Sequence, residues 1–174
     1  MTMMIKVGKL KNVDGSAMPI GFSLNKEELH KDSSLKLAEG DLVFTGTVAN
    51  RDRVITVSGE IRCVLQGSCD RCGEKVAIPM DVAFHESFTN LSEKCGDDEA
   101  EEEGVHLFSG DEIELLPYVE QAVFLSLPMK TLCREDCRGL CPVCGTNLNE
   151  KTCSCDKSPI DPRLAVLADL LNKG

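Results

Sequence analysis

Ten cysteines among 174 residues constrain this chain more than any other feature. They stand at positions 63, 69, 72, 95, 133, 137, 141, 144, 153 and 155. Disulfides do not persist in a reducing cytoplasm, where closely spaced cysteines act as metal ligands or redox centres instead. Cys69 and Cys72 lie in Cys-Asp-Arg-Cys-Gly, and Cys141 and Cys144 in Cys-Pro-Val-Cys-Gly. Both read as zinc knuckles. Two thiolates three positions apart can bind one ion from a tight turn whose N–H groups face the sulfurs, and the Gly that follows accepts the positive φ ending such a turn. A thioredoxin-like reading of Cys69 and Cys72 would require the motif to start a helix, where a thiolate is favoured. This motif sits in a strand-rich stretch instead.

Cys153-Ser-Cys155 follows the second knuckle closely, and Cys133 and Cys137 form a Cys-x3-Cys pair upstream of it. Four pairs fit one or two structural Zn2+ sites with Cys69, Cys72, Cys133, Cys137, Cys141, Cys144, Cys153 and Cys155 as ligands. The preferred partition joins Cys69 and Cys72 to Cys133 and Cys137 and closes Cys141, Cys144, Cys153 and Cys155 locally. The rival joins the two knuckles, as in a zinc ribbon. Sixty residues separate Cys72 from Cys133, and loop-closure cost rises too slowly with length to forbid either. Cys63 reads as a small buried hydrophobe on a strand, and Cys95 as a free thiol in a polar loop.

The pattern along the chain is α+β. From 54 to 65, Ile55, Val57, Ile61, Cys63 and Leu65 alternate with mostly polar residues, and from 76 to 88 Val76, Ile78, Met80, Val82, Phe84 and Phe88 do the same. These segments predict an antiparallel hairpin with the Cys69 knuckle at its tip, preceded by a strand through Leu42, Phe44 and Val48. Residues 1–91 are expected to form an antiparallel β-rich part and 92–110 an acidic loop. Residues 111–174 should hold a helix, a cysteine-rich zinc module and a C-terminal helix, all within one integrated domain. The first helix is expected over about 111–127, with Leu115, Leu116, Val119, Ala122 and Val123 on one face and Pro117 in its first turn. Asp111, Glu112 and Glu114 read as first-turn charges favoured by the helix dipole. Asp161 and Pro162 open the terminal helix, with Leu164, Leu167, Ala168 and Leu171 on one face.

Net charge is −10, and the run 97–103 (DDEAEEE) supplies six acids, leaving −4 for the rest. A phosphate backbone repels such a body, and aromatics at 4% leave few side chains on which bases could stack. Basic proteins are the easier partners. No apolar run reaches the ~18 residues of a membrane span, and no cleavable signal opens the chain, so a cytoplasmic protein without a membrane partner is expected. Four-thiolate sites are saturated and structural, whereas a catalytic zinc keeps an open position. His30, His85 and His106 are scattered, His85 on the polar face of its strand. There is no phosphate-cradling Gly-Lys-Ser/Thr loop and no Gly-x-Ser-x-Gly turn. The chain reads as no enzyme, with no small-molecule substrate.

Cys69-Asp-Arg-Cys72, Leu-Ser-Leu-Pro at 125–128, CREDCRGLCPVCGTNLNEKTCSC at 133–155 and DPRLAVLADLL at 161–171 resemble the YceD family, the large ribosomal RNA subunit accumulation proteins. The resemblance covers both halves of the chain and is strongest from 125 to 171. It implies a bacterial, non-enzymatic factor for accumulation or processing of 23S ribosomal RNA and large-subunit assembly. Its partner would be a ribosomal protein or a large-subunit rRNA precursor. The segment 129–163, at six bases to five acids, is the least unfavourable surface for RNA, and the acidic loop is the route to a basic ribosomal protein. A zinc-ribbon module in transcription and a thiol redox sensor are the alternatives from other classes.

Overall fold

The computed structural model describes residues 3–90 and 104–156, without the side chains of 30–32. The chain divides into two compact units, Met1–Gly67 with Val76–Met129, and Ser68–Lys75 with Lys130–Gly174. The first is mostly strand. Among the described residues its strands are β1 (Met4–Lys6), β2 (Ala17–Leu24), β3 (Leu37–Arg51), β4 (Val54–Ser68), β5 (Lys75–Thr89), β6 (Val105–Leu107) and β7 (Glu112–Glu114), and its helices are α1 (Lys26–Asp32) and α2 (Leu116–Leu125). Five strands form one sheet in the order β2-β3-β4-β5-β6, and β1 pairs with β7 in a second. The protein is therefore α+β with few helices.

Alternation sets which face of the sheet is buried. Phe44 and Val48 of β3, Ile55, Val57 and Ile61 of β4, and Val82, Phe84 and Phe88 of β5 all point into one core. Phe44 meets Phe84 edge to face, ring centroids 5.4 Å apart. The β2–β3 and β3–β4 pairs are antiparallel, with Phe22 opposite Phe44 and Val48 opposite Val57. The β5–β6 pair is parallel, with Ser87 opposite Val105. This pairing places a strand inside the 92–110 stretch expected as an acidic loop. Parallel neighbours need a connection of about a dozen residues or more, which 90–104 supplies.

Two further elements differ from the sequence reading. Asp111, Glu112 and Glu114 do not open a helix: Glu112–Glu114 is a strand whose Ile113 pairs with Ile5 of β1. Ile113 and Leu115 are buried while Glu112 and Glu114 are exposed, a period of two that a helix cannot bury. The partner strand lies over a hundred residues away in sequence, so periodicity judged locally missed it. Helix α2 accordingly starts at Leu116, with Pro117 in its first turn and Leu116, Val119 and Val123 buried. Helix α1 was not anticipated. Its start is a capping box, in which Glu28 N donates to Asn25 Oδ1 at 2.9 Å and Asn25 N to Glu28 Oε2 at 3.3 Å. The acidic run 97–103 and the terminal helix expected over 161–171 lie outside the described residues. Among the described residues no helix is long and apolar enough to cross a membrane.

One contact in the sheet tolerates no side chain. Gly46 and Gly59 are directly opposite in the β3–β4 ladder, and a Cβ on Gly59 would stand 2.3 Å from Thr45 O and 2.7 Å from Gly46 Cα. Both obstacles are backbone and cannot swing aside. Gly21, by contrast, has its nearest neighbour at 3.7 Å. Gly59→Ala is expected to destabilise the first unit by about 1–3 kcal/mol or more through overpacking, with Gly21→Ala much milder, as read by urea unfolding.

Candidate metal centres

The described residues of the second unit contribute nothing to the apolar core. Among its described residues the buried side chains are those of Cys69, Cys72, Cys137 and Cys141. The contacts that join these described residues are thiol proximities and hydrogen bonds.

Two turns present the first ligands. In 69–74, Gly73 N donates to Cys69 O at 2.8 Å and Cys69 N to Glu74 O at 2.8 Å. In 141–146, Gly145 N donates to Cys141 O at 2.9 Å and Cys141 N to Thr146 O at 2.8 Å. Gly73 and Gly145 close the turns at φ 73° and 72°, in the left-handed region that glycine enters without penalty. The Arg71 and Cys72 amides point at the Cys69 sulfur, and the Val143 and Cys144 amides at the Cys141 sulfur. The two motifs share the same pattern of backbone hydrogen bonds and the same glycine conformation.

The first turn is fastened to the segment after Lys130. Asp70 N donates to Thr131 O at 2.9 Å and Thr131 N returns to Asp70 Oδ2 at 2.6 Å. Arg71 Nη1 donates to Cys137 O at 2.7 Å, and Arg71 O accepts from Leu140 N at 3.1 Å. Gly139, at φ 74°, approaches that carbonyl so closely that a Cβ would stand 3.0 Å from it. These contacts carry Cys133 and Cys137 to Cys69 and Cys72.

The eight thiols consequently form two sets of four: Cys69, Cys72, Cys133 and Cys137, and Cys141, Cys144, Cys153 and Cys155, with the sulfurs of each set within 4.8 Å of one another. The structure does not bring the two knuckles into one set. Cys69 and Cys137 sulfurs are 3.8 Å apart, and those of Cys72 and Cys133 are 3.6 Å apart. A tetrahedron of sulfurs at ~2.3 Å from a central ion has an edge of about 3.8 Å, whereas a disulfide would be ~2.05 Å. All described cysteines are free of disulfides. The donor set and its dimensions fit a metal ion. The first set is largely buried; in the second, Cys141 is buried, Cys153 and Cys155 are half-buried and Cys144 is exposed.

Charge makes the same case. Burial opposes a charge on Cys69, yet amide donation from Arg71, Cys133 and Cys72 brings the thiol down to about 6. The Thr146 hydroxyl, 3.1 Å away, and the Thr146 amide bring Cys144 down to about 6. Burial and the neighbouring Cys137 push Cys133 up, and Cys144 with burial pushes Cys155 up to about 12. In each set some sulfurs ionise readily and hold the others protonated, because thiolates this close repel. A cation at the centre lets all four ionise.

Of the remaining predicted residues, Cys63 lies in the core of the first unit, 6% exposed, and burial raises its thiol. Cys95 lies outside the described residues. His85 is exposed on β5. His106 Nε2 lies 3.0 Å from Glu86 Oε2, and its ring packs 4.4 Å from that of Tyr118, tying β5, β6 and α2 together. Sequence reasoning missed the residues that support the thiols, Asp70, Arg71, Thr131, Thr146 and Asn149. Only Thr146 had a signal, its place just past a Cys-x-x-Cys-Gly turn.

Paired four-cysteine sets, one assembled from distant segments and one local, put the chain among proteins organised by cysteine tetrads that could hold metal ions. The family model for the large ribosomal RNA subunit accumulation protein YceD matches residues 57–171, a span containing all eight thiols, and the chain belongs to this family. An uncharacterized protein of Mycobacterium tuberculosis is 34% identical over 117 residues, 67% of this chain and 56% of the relative. YlbN of Bacillus subtilis is 29% identical over 119 residues, 68% of this chain and 64% of its own. The chloroplastic large ribosomal RNA subunit accumulation protein YCED homolog 1 of Arabidopsis thaliana is 25% identical over 148 residues, 71% of this chain and 46% of its own. The chain spans about half the length of the curated relatives it matches. No solved structure matches it.

Two outcomes are expected. With Zn2+ counted per chain, Cys69→Ser with Cys133→Ser removes one ion and leaves one, whereas Cys69→Ser with Cys141→Ser removes both. Chelation should disorder 130–156, because thiol ligation there replaces an apolar core, while amide resonances of β3–β5 persist. Unchanged spectra for 130–156 after verified metal removal would refute the second expectation.

Proposed function

We propose that this chain is a non-enzymatic, cytoplasmic ribosome biogenesis factor that supports 23S rRNA accumulation or processing and large-subunit assembly, with two structural Zn2+ sites. The carrying observation is the match to the YceD family over a span that includes both thiol sets. Cys69, Cys72, Cys133 and Cys137 hold one ion, and Cys141, Cys144, Cys153 and Cys155 the other. Each set supplies four thiolates, which fill the coordination sphere and leave no position for water or substrate. The ions act by holding a surface in shape.

Electrostatics favour a basic ribosomal protein as the partner. The described residues of the second unit carry six basic and six acidic side chains, and each Zn2+ bound by four thiolates adds −2. A unit near −4 on a chain at −10 attracts cationic protein tails and repels RNA. Exposed Arg134 lies 3.4 Å from Asp136, which reduces what it offers to a phosphate.

The test is co-sedimentation with large-subunit precursors, followed by capture of basic ribosomal proteins at rising salt. Capture is expected to weaken with salt, since exposed charges are screened beyond ~8 Å at physiological ionic strength. Replacing the six acids of 97–103 by Ser and Asn should weaken it further without unfolding the chain. Loss of capture on substituting Arg134 and Arg138 instead would establish RNA contact by the zinc unit, and co-purification with RNA polymerase would replace the ribosomal reading with a transcriptional one.

A further inference from the structure

The segment between the two ligand pairs of the second set has a feature that its own closure does not require. Residues 145–152 join Cys144 to Cys153, yet the Asn149 side chain within them reaches the first set. Its Nδ2 lies 3.3 Å from the Cys137 sulfur. The same side chain's Oδ1 accepts from Arg138 N at 2.8 Å. That bond fixes the amide orientation: an N–H needs an acceptor, so the oxygen faces Arg138 and the NH2 group faces the sulfur.

Asn149 is itself held in place. Asn147 Oδ1 accepts from Asn149 N at 3.1 Å and from Asn149 Nδ2 at 2.9 Å, and Asn147 Nδ2 donates to Glu150 Oε1 at 3.0 Å. The backbone of the segment also clamps the residues linking Cys137 to Cys141. Leu148 N donates to Gly139 O at 2.9 Å, and Leu140 pairs with Asn147 in an isolated antiparallel bridge. Closing the second set therefore orders the donor of an N–H···S bond to a ligand of the first.

We propose that the two centres are a coupled pair, in which metal binding at Cys141, Cys144, Cys153 and Cys155 positions Asn149 against Cys137 and so raises the metal affinity of the first centre. This rests on the reading of both sets as metal centres. Donation to a ligating thiolate stabilises its charge and fixes its direction, and loss of such a supporting partner typically costs ~10–100-fold in metal affinity. By linkage the first centre raises the affinity of the second by the same factor. The local set takes all its ligands from 141–155 and can close before Cys133 and Cys137 have met Cys69 and Cys72. Binding is thus expected in two ordered steps, the second centre filling before the first.

The test is titration of the full chain with Zn2+ against a chromogenic chelator, repeated with Co2+ to read the thiolate charge-transfer band. Asn149→Asp is the decisive variant because it keeps the acceptor for Arg138 N and removes the donor to sulfur. The wild type is expected to bind two ions in steps. Asn149→Asp should leave the first step unchanged, weaken the second ~10–100-fold and still reach two ions at saturation. The Cys69→Ser with Cys133→Ser variant should reproduce the first step alone. Cys153→Ser with Cys155→Ser should leave one weakened site, which Asn149→Asp weakens little further. Unaltered second-step affinity in Asn149→Asp, or full additivity of the two changes, would overturn the coupling while leaving two metal centres intact. A wild type that binds no metal would overturn the metal reading and the coupling with it.

Discussion

The described part of the second unit is arranged around two sets of sulfurs, those of each set within 4.8 Å of one another. A folded segment normally offsets its lost chain entropy by burying apolar surface, and this unit buries no described side chain but those of four cysteines. Hydrogen bonds such as Asp70 to Thr131 and Arg71 to Cys137 give direction, yet each contributes only ~1 kcal/mol net. Read as metal centres, the two thiol sets contribute on another scale, since structural zinc supplies ~10–16 kcal/mol in small peptides. The first unit has the opposite economy. Its core runs from Met3 through Phe44 and Phe88 to Val123 and is built of packed apolar side chains.

The two knuckles show how one local structure serves two kinds of assembly. Each provides paired sulfurs, amides aimed at the first of them, and a glycine at positive φ. Around Cys141 the partners arrive from the same short stretch of chain. Around Cys69 they arrive from beyond a sixty-residue excursion, and the fastening falls to Asp70, Arg71, Thr131 and the close approach of Gly139. Burial follows from this, as the set assembled from two segments is covered and the local one keeps Cys144 exposed.

Read as metal centres, the two thiol sets would have a structural role. Four thiolates around an ion form a rigid but chemically closed object, so any activity must reside in the surface that the unit presents. A chain at net −10 attracts cationic surfaces more readily than it does a phosphate backbone.

The sequence by itself determined strands β4 and β5 and the cysteine turns. Alternation at Ile55, Val57 and Ile61, and at Val82 and Phe84, marks β4 and β5 because burial on one face demands period two, and Cys-x-x-Cys-Gly marks each turn because the geometry is local. It did not determine how the cysteine pairs combine, since loop closure over sixty residues costs little more than over fifteen. Tertiary structure decided that, through the Arg71 carbonyl and the Asp70–Thr131 bonds. It likewise put Glu112 and Glu114 in a strand, with Asp111 in the turn before it, where a helix start was expected, because Ile5 lies opposite Ile113. It set β6 parallel to β5 and placed Asn149 beside Cys137. What is written in neighbouring residues can be read from them; what depends on a partner distant in sequence exists only once the chain has closed.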